Sequence, residues 1–195
     1  MKHLNKRLIS ALLFIVSIVL RTGSVNAKIV LPSVFSDNMV MQQKTNAAIW
    51  GKGTPGHNIN ISTTWSKKIY VSRADKNGNW KILVATPSYG GPYTITISDG
   101  AKITLKNILI GDVWVCSGQS NMEMPLVGWG KIKNYKEEIT QAKYPDIRLL
   151  QVNRKVSNVP LENAEVANGG WVTCTPETVA GFSATAYFFA REVIS

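Results

Sequence analysis

Polar and apolar residues alternate in short runs over the first half of the chain. Residues 58–62 read Asn-Ile-Asn-Ile-Ser, which is the period of a half-buried β-strand. Residues 68–74 and 80–85 are further apolar-rich runs, and the Asn-Gly pair at 77–78 between them is typical of a tight hairpin turn. The pattern predicts short strands joined by hairpins.

A second hairpin is predicted over residues 93–105, YTITISDGAKITL. Isoleucines alternate with threonines, the Asp-Gly pair at 99–100 supports a tight turn, and the alternation then resumes. Gly and Pro pairs separate the remaining runs. We therefore expect residues 28–106 to form an all-β, sandwich-like domain.

The pattern changes after residue 107. Residues 108–116, ILIGDVWVC, are mostly apolar without alternation, as in a strand that is covered on both faces in a parallel sheet. Further predicted elements are helices over 131–144 and 183–194, with Ser183 as N-cap of the second, and strands over 147–152 and 171–174. Residues 107–195 thus predict the start of an α/β domain, incomplete here because a typical open sheet has about 5–6 strands.

The first residues have the three parts of a secretory signal peptide. A basic start is followed by the apolar run 8–20 and by the small or aliphatic residues Val25-Asn26-Ala27. The apolar run is shorter than the ~20 residues that a membrane span needs. We expect cleavage of residues 1–27, a mature chain that begins at Lys28, export to the periplasm or the extracellular space, and no stable membrane span.

Basic residues exceed acidic ones, and the formal net charge is +10. Loss of the four basic residues of the leader lowers this charge to +6. The remaining basic residues are scattered and are not interleaved with aromatic residues, so nucleic acid is not an expected partner. A mild basic excess suits either an acidic small substrate or an ordinary solvated surface.

Two cysteines, Cys116 and Cys174, are too few for a disulfide-scaffolded domain. They either pair after export or remain two buried thiols, since both lie in apolar, strand-like runs. No Cys/His cluster has the spacing of zinc ligands.

A candidate nucleophile, Ser120, follows the apolar run in the segment VWVCSGQSNMEMP, residues 113–125. Reactive groups of α/β enzymes lie at the carboxyl ends of parallel strands. Gly118 relieves crowding in the turn, and backbone N–H groups near Asn121 are placed to face an oxyanion. By itself, this pattern favours an ordinary strand-to-loop junction. The alternative is that the strand holds Ser120 as a catalytic nucleophile.

A serine nucleophile needs a base to accept its proton. The chain has only His3, in the predicted leader, and His57, in a predicted surface loop. Neither is an expected base, so the base is missing from this sequence or Ser120 is not a nucleophile.

Other residues are weaker candidates. Asp112 follows a glycine and is predicted as a turn residue and not as a triad acid. Gln119, Asn121 and Glu123 flank the serine, and Asn121 is a candidate for orienting the turn, although polar side chains in such turns usually bond to local backbone. Tryptophans of the β half would stack on sugar if they were exposed, but core positions are expected for Trp50, Trp65 and Trp80.

Five stretches, in order along residues 29–194, resemble the opening of the sialate O-acetylesterase family of SGNH-type carbohydrate acetylesterases. They are LPSVFSDNMVMQQ, AAIWGKGTPG, NGNWKI, GDVWVCSGQSNMEMPL and FSATAYFFARE. The GQSNM segment after an apolar strand is the most specific of them.

This resemblance implies hydrolysis of O-acetyl esters on sialic acid or another glycan, with Ser120 as the nucleophile and with no metal or organic cofactor. It implies an SGNH hydrolase-like three-layer α/β domain, truncated here, preceded by the all-β domain. In the family, the Gly and Asn of the oxyanion hole and the Asp-x-x-His segment that supplies the base lie in later blocks. We therefore expect an N-terminal portion that is inactive alone. A glycan-binding module or a non-catalytic remnant stays open as the alternative.

Overall fold

The computed structural model describes residues 29–129 and 132–194. The predicted leader lies outside these residues. The described part is mostly β-sheet with few and short helices. Its strands are β1 (Val40–Gln42), β2 (Asn46–Lys52), β3 (Asn58–Thr63), β4 (Ser66–Arg73), β5 (Asn79–Ala85), β6 (Gly90–Ser98), β7 (Lys102–Gly111), β8 (Tyr144–Leu149) and β9 (Val172–Cys174). Its helices are α1 (Ser120–Glu123), α2 (Tyr135–Gln141), α3 (Pro176–Val179) and α4 (Ala184–Val193), with a 3₁₀ turn at Ala167–Gly169.

Strands β1 to β7 form two sheets. One has the order β1-β7-β6-β3-β4, and the other pairs β2 with β5. The β6–β7 hairpin predicted around Asp-Gly is confirmed, with Ser98 opposite Lys102. The Asn-Gly turn joins β4 to β5, but the hairpin predicted there is wrong, because β4 pairs with β3 in one sheet and β5 pairs with β2 in the other. Gly78 and Gly100 take φ values of 81° and 122°, which suit glycine.

The alternation in sequence explains how the two sheets share one core. Every second residue of β3 and β5 is buried, whereas the residues between them are exposed. Isoleucines 59, 61, 95 and 97 from the larger sheet and Ile49 and Val84 from the smaller one are all fully buried. The all-β character predicted for this half is therefore confirmed.

A second, separate core lies in the C-terminal half. Strands β8 and β9 pair antiparallel, and the helices pack beside them. Fully buried residues of this core include Leu126, Cys174, Val179 and Tyr187. Ser183 caps α4 as predicted, since its Oγ accepts a hydrogen bond from the Ala186 N–H at 3.3 Å. The other predicted elements occur with shifted ends.

The continuous strand predicted over residues 108–116 is wrong beyond Gly111, where β7 ends. Residues 112–118 have no regular structure, and Trp114 and Val115 are 60% and 91% exposed. An apolar run becomes a strand only where a neighbouring strand supplies hydrogen bonds, and no described residue does so here. Within the described residues, the expected parallel sheet of this half is also absent, because β1–β7 is the only parallel strand pair.

Hydrogen bonds join the two halves through Trp171. Its indole N–H donates to the Val34 carbonyl and its backbone N–H to Ser36 Oγ, both at 2.9 Å. The Ser33 N–H also donates to Asn163 Oδ1 at 2.8 Å. These contacts hold the start of the β half against the loop that precedes β9.

The two thiols are free in the structure and have different environments. Cys174 is buried, and burial raises its pKa to about 11. Cys116 is exposed, so the expectation of two buried thiols is wrong for Cys116. Its exposure follows from the missing strand around it.

Candidate functional site

Ser120 is the first residue of α1 and is exposed. Its hydroxyl makes no hydrogen bond with the described residues. Gly118, two residues earlier, leaves room for Met122, since a Cβ there would lie 3.2 Å from the Met122 Cβ, which is tighter than most such contacts. The predicted role of Gly118 in relieving crowding is therefore confirmed, and the turn presents the serine to solvent.

The start of α4 holds α1 in place. The Ala184 N–H donates to the Met124 carbonyl at 2.8 Å, and Thr185 Oγ1 donates to the Asn121 carbonyl at 3.0 Å. The GQSNM and FSATAYFFARE segments, far apart in sequence, thus contact each other directly. Because α1 is only one turn long, these bonds from α4 fix its orientation.

Backbone donors near the serine fall into two groups. The N–H groups of Met122 and Glu123 both bond to the Gln119 carbonyl, at 2.9 and 3.1 Å. The N–H groups of Ser120 and Asn121 have no acceptor among the described residues. Only the second group remains available to an incoming oxyanion.

Ser120 lies on the wall of a groove of about 820 Å³. Most of its lining comes from residues 113–120 and 150–154, and the rest comes from Met122, Glu123, Arg148, Trp171, Phe182, Ser183 and Ala186. The groove is lined by both polar and apolar surface and is open to solvent. Its dimensions suit a small molecule such as a monosaccharide, because ligand pockets typically measure ~300–1,000 Å³.

A pair of glutamines anchors the segment that leads to Ser120. The Nε2 atoms of Gln42 and Gln43 both donate to Asp112 Oδ1 at 3.1 Å. Gln42 Oε1 accepts a hydrogen bond from the Val113 N–H at 2.9 Å. Asp112 therefore makes structural hydrogen bonds, but the predicted turn is not found there, because residues 112–118 have no regular structure. Sequence reasoning missed the role of the glutamines, although both belong to the LPSVFSDNMVMQQ segment.

Arg148, on β8, is a groove residue that the sequence did not indicate. Its Nε donates to the Pro145 carbonyl at 3.1 Å, and its terminal nitrogens lie 3.5 Å from Asn38 Oδ1 and 3.4 Å from Asn107 Oδ1. Burial lowers the pKa of this guanidinium, while nearby Asp146 raises it. The group stays charged, since arginine does not lose its proton in proteins.

The groove contains no histidine in the part of the chain that the structure describes. Glu123 is the one carboxylate among the described lining residues, and it pairs with Arg154 at 3.6 Å. His57 is an exposed residue of the β2–β3 loop whose Nδ1 lies 3.2 Å from the Asp99 carbonyl. The prediction that His57 is a surface residue is confirmed.

The tryptophans of the β half differ in exposure. Trp80 is 4% exposed and belongs to the core, and Trp65 packs against that core. Trp50 is 40% exposed, so its predicted core position is wrong, and its ring packs edge-on against Phe35 at 4.6 Å.

No cluster of three or more metal-ligating side chains occurs in residues 29–129 or 132–194.

Comparison with known proteins gives related sequences but no matching family model. The sialate O-acetylesterases of Pongo abelii and Homo sapiens are both 30% identical to this chain over 178 residues. Each alignment covers 83% of this chain and 33% of the relative. The chain therefore spans about a third of the length of these curated relatives.

A solved structure has the same fold over most of this chain. A carbohydrate acetylesterase from Xanthomonas citri superposes with a TM-score of 0.77 and 31% sequence identity, covering 85% of this chain and 37% of that one. The related sequences and the solved structure point to the same family as the five stretches in the sequence. The chain belongs to the sialate O-acetylesterase family.

Proposed function

We propose that the protein hydrolyses O-acetyl esters of a sugar, with Ser120 as the nucleophile. The supporting observation is the exposed Ser120 hydroxyl on the wall of a sugar-sized groove, within the GQSNM segment. The relatives that share this region are named for acetyl-ester hydrolysis on sialic acid or another carbohydrate.

In this mechanism the Ser120 Oγ attacks the acetyl carbonyl carbon as a base removes its proton. The oxyanion that forms is stabilised by backbone N–H groups of Ser120 and Asn121, which have no other acceptor among the described residues. Collapse of the intermediate breaks the bond to the sugar oxygen, which leaves with a proton. Water then releases acetate from the acyl-serine.

The base is a histidine of the Asp-x-x-His segment, a block that follows the matched region in the family. Two observations support this assignment. The described residues that line the groove include no histidine, and the carboxylate of Glu123 is already paired with Arg154. The same block and the remaining oxyanion donors would close the open side of the groove. The activity therefore belongs to the full-length gene product and not to residues 28–195.

We further propose two domains, a β-sandwich over 28–106 and an SGNH-type three-layer domain that begins near 107. Val115 is 91% exposed although its neighbours are apolar. Pairing with further strands would convert residues 112–116 into the central strand that the sequence pattern predicts. The two separate cores support this division.

Residues 28–195 produced alone are expected to have negligible esterase activity. The missing base prevents activation of Ser120, and the exposed apolar segment 113–116 favours aggregation. Acetate release by the purified fragment and by the full-length product should be compared at equal concentration. Robust hydrolysis by the fragment that disappears in its Ser120→Ala variant would contradict this assignment of the base.

Export after cleavage of residues 1–27 is also proposed. The three-part leader in the sequence supports it. No helix in the described ranges is long and apolar enough to cross a membrane. Intact-mass measurement on protein recovered from the exported fraction should give a chain that begins at Lys28, and a mass that retains residues 1–27 would refute the cleavage.

A glycan-binding role without catalysis is the second candidate. The observation that favours it is a shallow depression on the β half, lined by Trp50, Asn79, Trp80 and Lys81, in which Trp50 is partly exposed. Exposed tryptophan rings stack on the apolar faces of sugars. Acetate release from O-acetylated N-acetylneuraminic acid by the full-length protein decides between the two roles, because a binding module releases none.

A further inference from the structure

Beyond the predicted leader, the basic excess of the chain is confined to the β half. Residues 29–111 carry nine lysines and arginines against three aspartates, whereas residues 112–195 carry eight basic and nine acidic residues. The formal net charges of the two segments are therefore +6 and −1. The bases of the β half are scattered along the sequence, so the pairing of the strands decides where they lie.

Four of these bases lie on the outer face of the larger sheet, which we call the basic face. They are Lys67 and Arg73 on β4 and Lys102 and Lys106 on β7. Each is an odd number of residues from the buried Tyr70 or Leu105 of its own strand, so its side chain points away from the core. All four side chains are exposed.

None of the four bases forms a salt bridge with another described residue. Within residues 29–129 and 132–194, the one salt bridge that involves a base of the β half joins Lys52, on the smaller sheet, to Glu162 at 3.3 Å. Arg73 bonds to a backbone carbonyl, that of Gly56, at 2.7 Å. The four charges therefore remain available to an external anion.

The three acids of the β half are engaged in backbone contacts. Asp99 is 8% exposed, and its Oδ2 accepts hydrogen bonds from the backbone N–H and the hydroxyl of Thr54. Asp75 accepts backbone N–H groups of the turn that follows β4. Asp37 accepts the backbone N–H of Lys106 at 2.8 Å and so lies beside β7. Of the four bases, Lys106 is thus the one next to an acid in these contacts.

An uncharged strip with hydrogen-bonding side chains separates the two pairs of bases. The strip consists of hydroxyl and amide side chains of β3, β6 and β7: Asn58, Asn60, Ser62, Thr96, Ser98 and Thr104. In the strand register, Thr96 lies opposite both Ser62 and Thr104. Neighbouring strands are ~4.8 Å apart, so β4 and β7, with β3 and β6 between them, are separated by ~14 Å.

We propose that the basic face binds an acidic polysaccharide, a chain of sugars that carry carboxylate or sulfate groups. Lysine and arginine pair with these anions, and the hydroxyl and amide groups of the strip bond to sugar hydroxyls. A single sugar is too short to reach both pairs of bases, so the face should recognise a polymer and not a monosaccharide. The basic face shares no residue with the Ser120 groove, and the proposal does not rest on the proposed function.

Other polyanions fit this face less well. Single-stranded nucleic acids bind to aromatic rings on which their bases stack, and the outward positions of β3, β4, β6 and β7 hold no aromatic residue. Lipid surfaces hold proteins that combine bases with a buried apolar face. The exposed apolar residues of the basic face, Ile69 and Val71, lie along one edge on β4, and its centre is polar.

The test is binding of the full-length protein to polygalacturonate and to fully methyl-esterified polygalacturonate. The two polymers have the same backbone, but only the first is an anion. We expect the acidic form to bind about 10-fold more tightly at about 0.05 M salt, because several exposed ion pairs contribute together. The preference should disappear at about 1 M salt, where screening acts within ~3 Å. Galacturonic acid at the same carboxylate concentration should not compete.

The variant Lys67→Gln combined with Lys102→Gln removes one base from each side of the strip and should abolish most of the preference. Both side chains are exposed, so the fold should be kept. Lys133→Gln combined with Lys136→Gln is the matched control. It removes the same charge from exposed positions of the second half and should leave the preference unchanged.

Equal binding of the two polymers overturns the proposal without any variant. A preference that survives the loss of Lys67 and Lys102, or that the control variant loses equally, also overturns it, because this face would then not be the binding site. Tighter binding of phosphatidylglycerol vesicles or of DNA than of polygalacturonate would overturn the choice of a polysaccharide. None of these outcomes bears on Ser120, whose role is tested by acetate release.

Discussion

Replacement of Ser120 by alanine in the full-length protein is expected to lower the turnover of acetyl esters by about 10⁶-fold, the typical loss when the nucleophile of a serine hydrolase is removed. The change deletes one hydroxyl that is exposed and makes no hydrogen bond with described residues. Folding should therefore be unaffected, and circular dichroism and the thermal transition should match those of the parent. Acetate release measured with an enzyme-coupled assay gives the rate.

His57→Ala is the control for this loss. His57 is exposed on the β2–β3 loop and does not line the groove, so turnover should stay within a few-fold of the parent. Near-normal acetate release by Ser120→Ala would remove the nucleophile assignment and favour the glycan-binding role. A large loss in His57→Ala would instead identify a base that the structure places away from the serine.

Tyr187→Ala should be the most disruptive substitution in the second core, with a loss of about 3–5 kcal/mol in local stability. Tyr187 is fully buried, and its ring packs near Tyr144 and Phe188 with centroid distances of 6.2 and 5.1 Å. Removing the ring leaves a cavity between α4 and β8. Hydrogen exchange of the full-length protein, followed by mass spectrometry, should show reduced protection in peptides over 135–193.

The comparison variant Tyr187→Phe keeps the ring. It loses only the hydroxyl, which lies 3.4 Å from Glu138 Oε2, so we expect a loss of about 1 kcal/mol. Peptides of the first core, for example over β3, should keep their protection in both variants because the two cores are separate. Equal loss of protection in both cores after Tyr187→Ala would show that they unfold as one unit.

Local chemistry in the sequence located strands β3 to β7, but it indicated neither β1 and β2 nor the separation of β4 and β5 into different sheets. Asn-Gly and Asp-Gly pairs determine where the chain turns, because Gly78 and Gly100 adopt positive φ. Alternating isoleucines determine which face of β3 and of β6 is buried. Both signals lie within a few residues of the structure that they specify, so β3 to β7 could be predicted from the sequence.

The structure of the candidate site depends on residues that are distant in sequence. The pattern of polar and apolar residues therefore did not predict it correctly. The strand predicted through Trp114 and Val115 needed neighbours that no short-range signal reveals. The orientation of Arg148 depends on Asn38, which lies 110 residues away. Ser120 could be proposed as the nucleophile only because the GQSNM segment is specific to a family, since the surrounding polar and apolar pattern by itself favours an ordinary strand-to-loop junction.

The most direct test of the central assignment is labelling of the full-length protein with a serine-directed phosphonate, followed by peptide mapping. Such reagents form a covalent bond with a serine only when a base activates it, so the label reports nucleophilicity and not mere exposure. The proposed function predicts one modified peptide, within residues 113–131, with the phosphonyl group on Ser120 and parallel loss of acetate release. Inhibition with the label on another residue would contradict the assignment of Ser120 as the nucleophile.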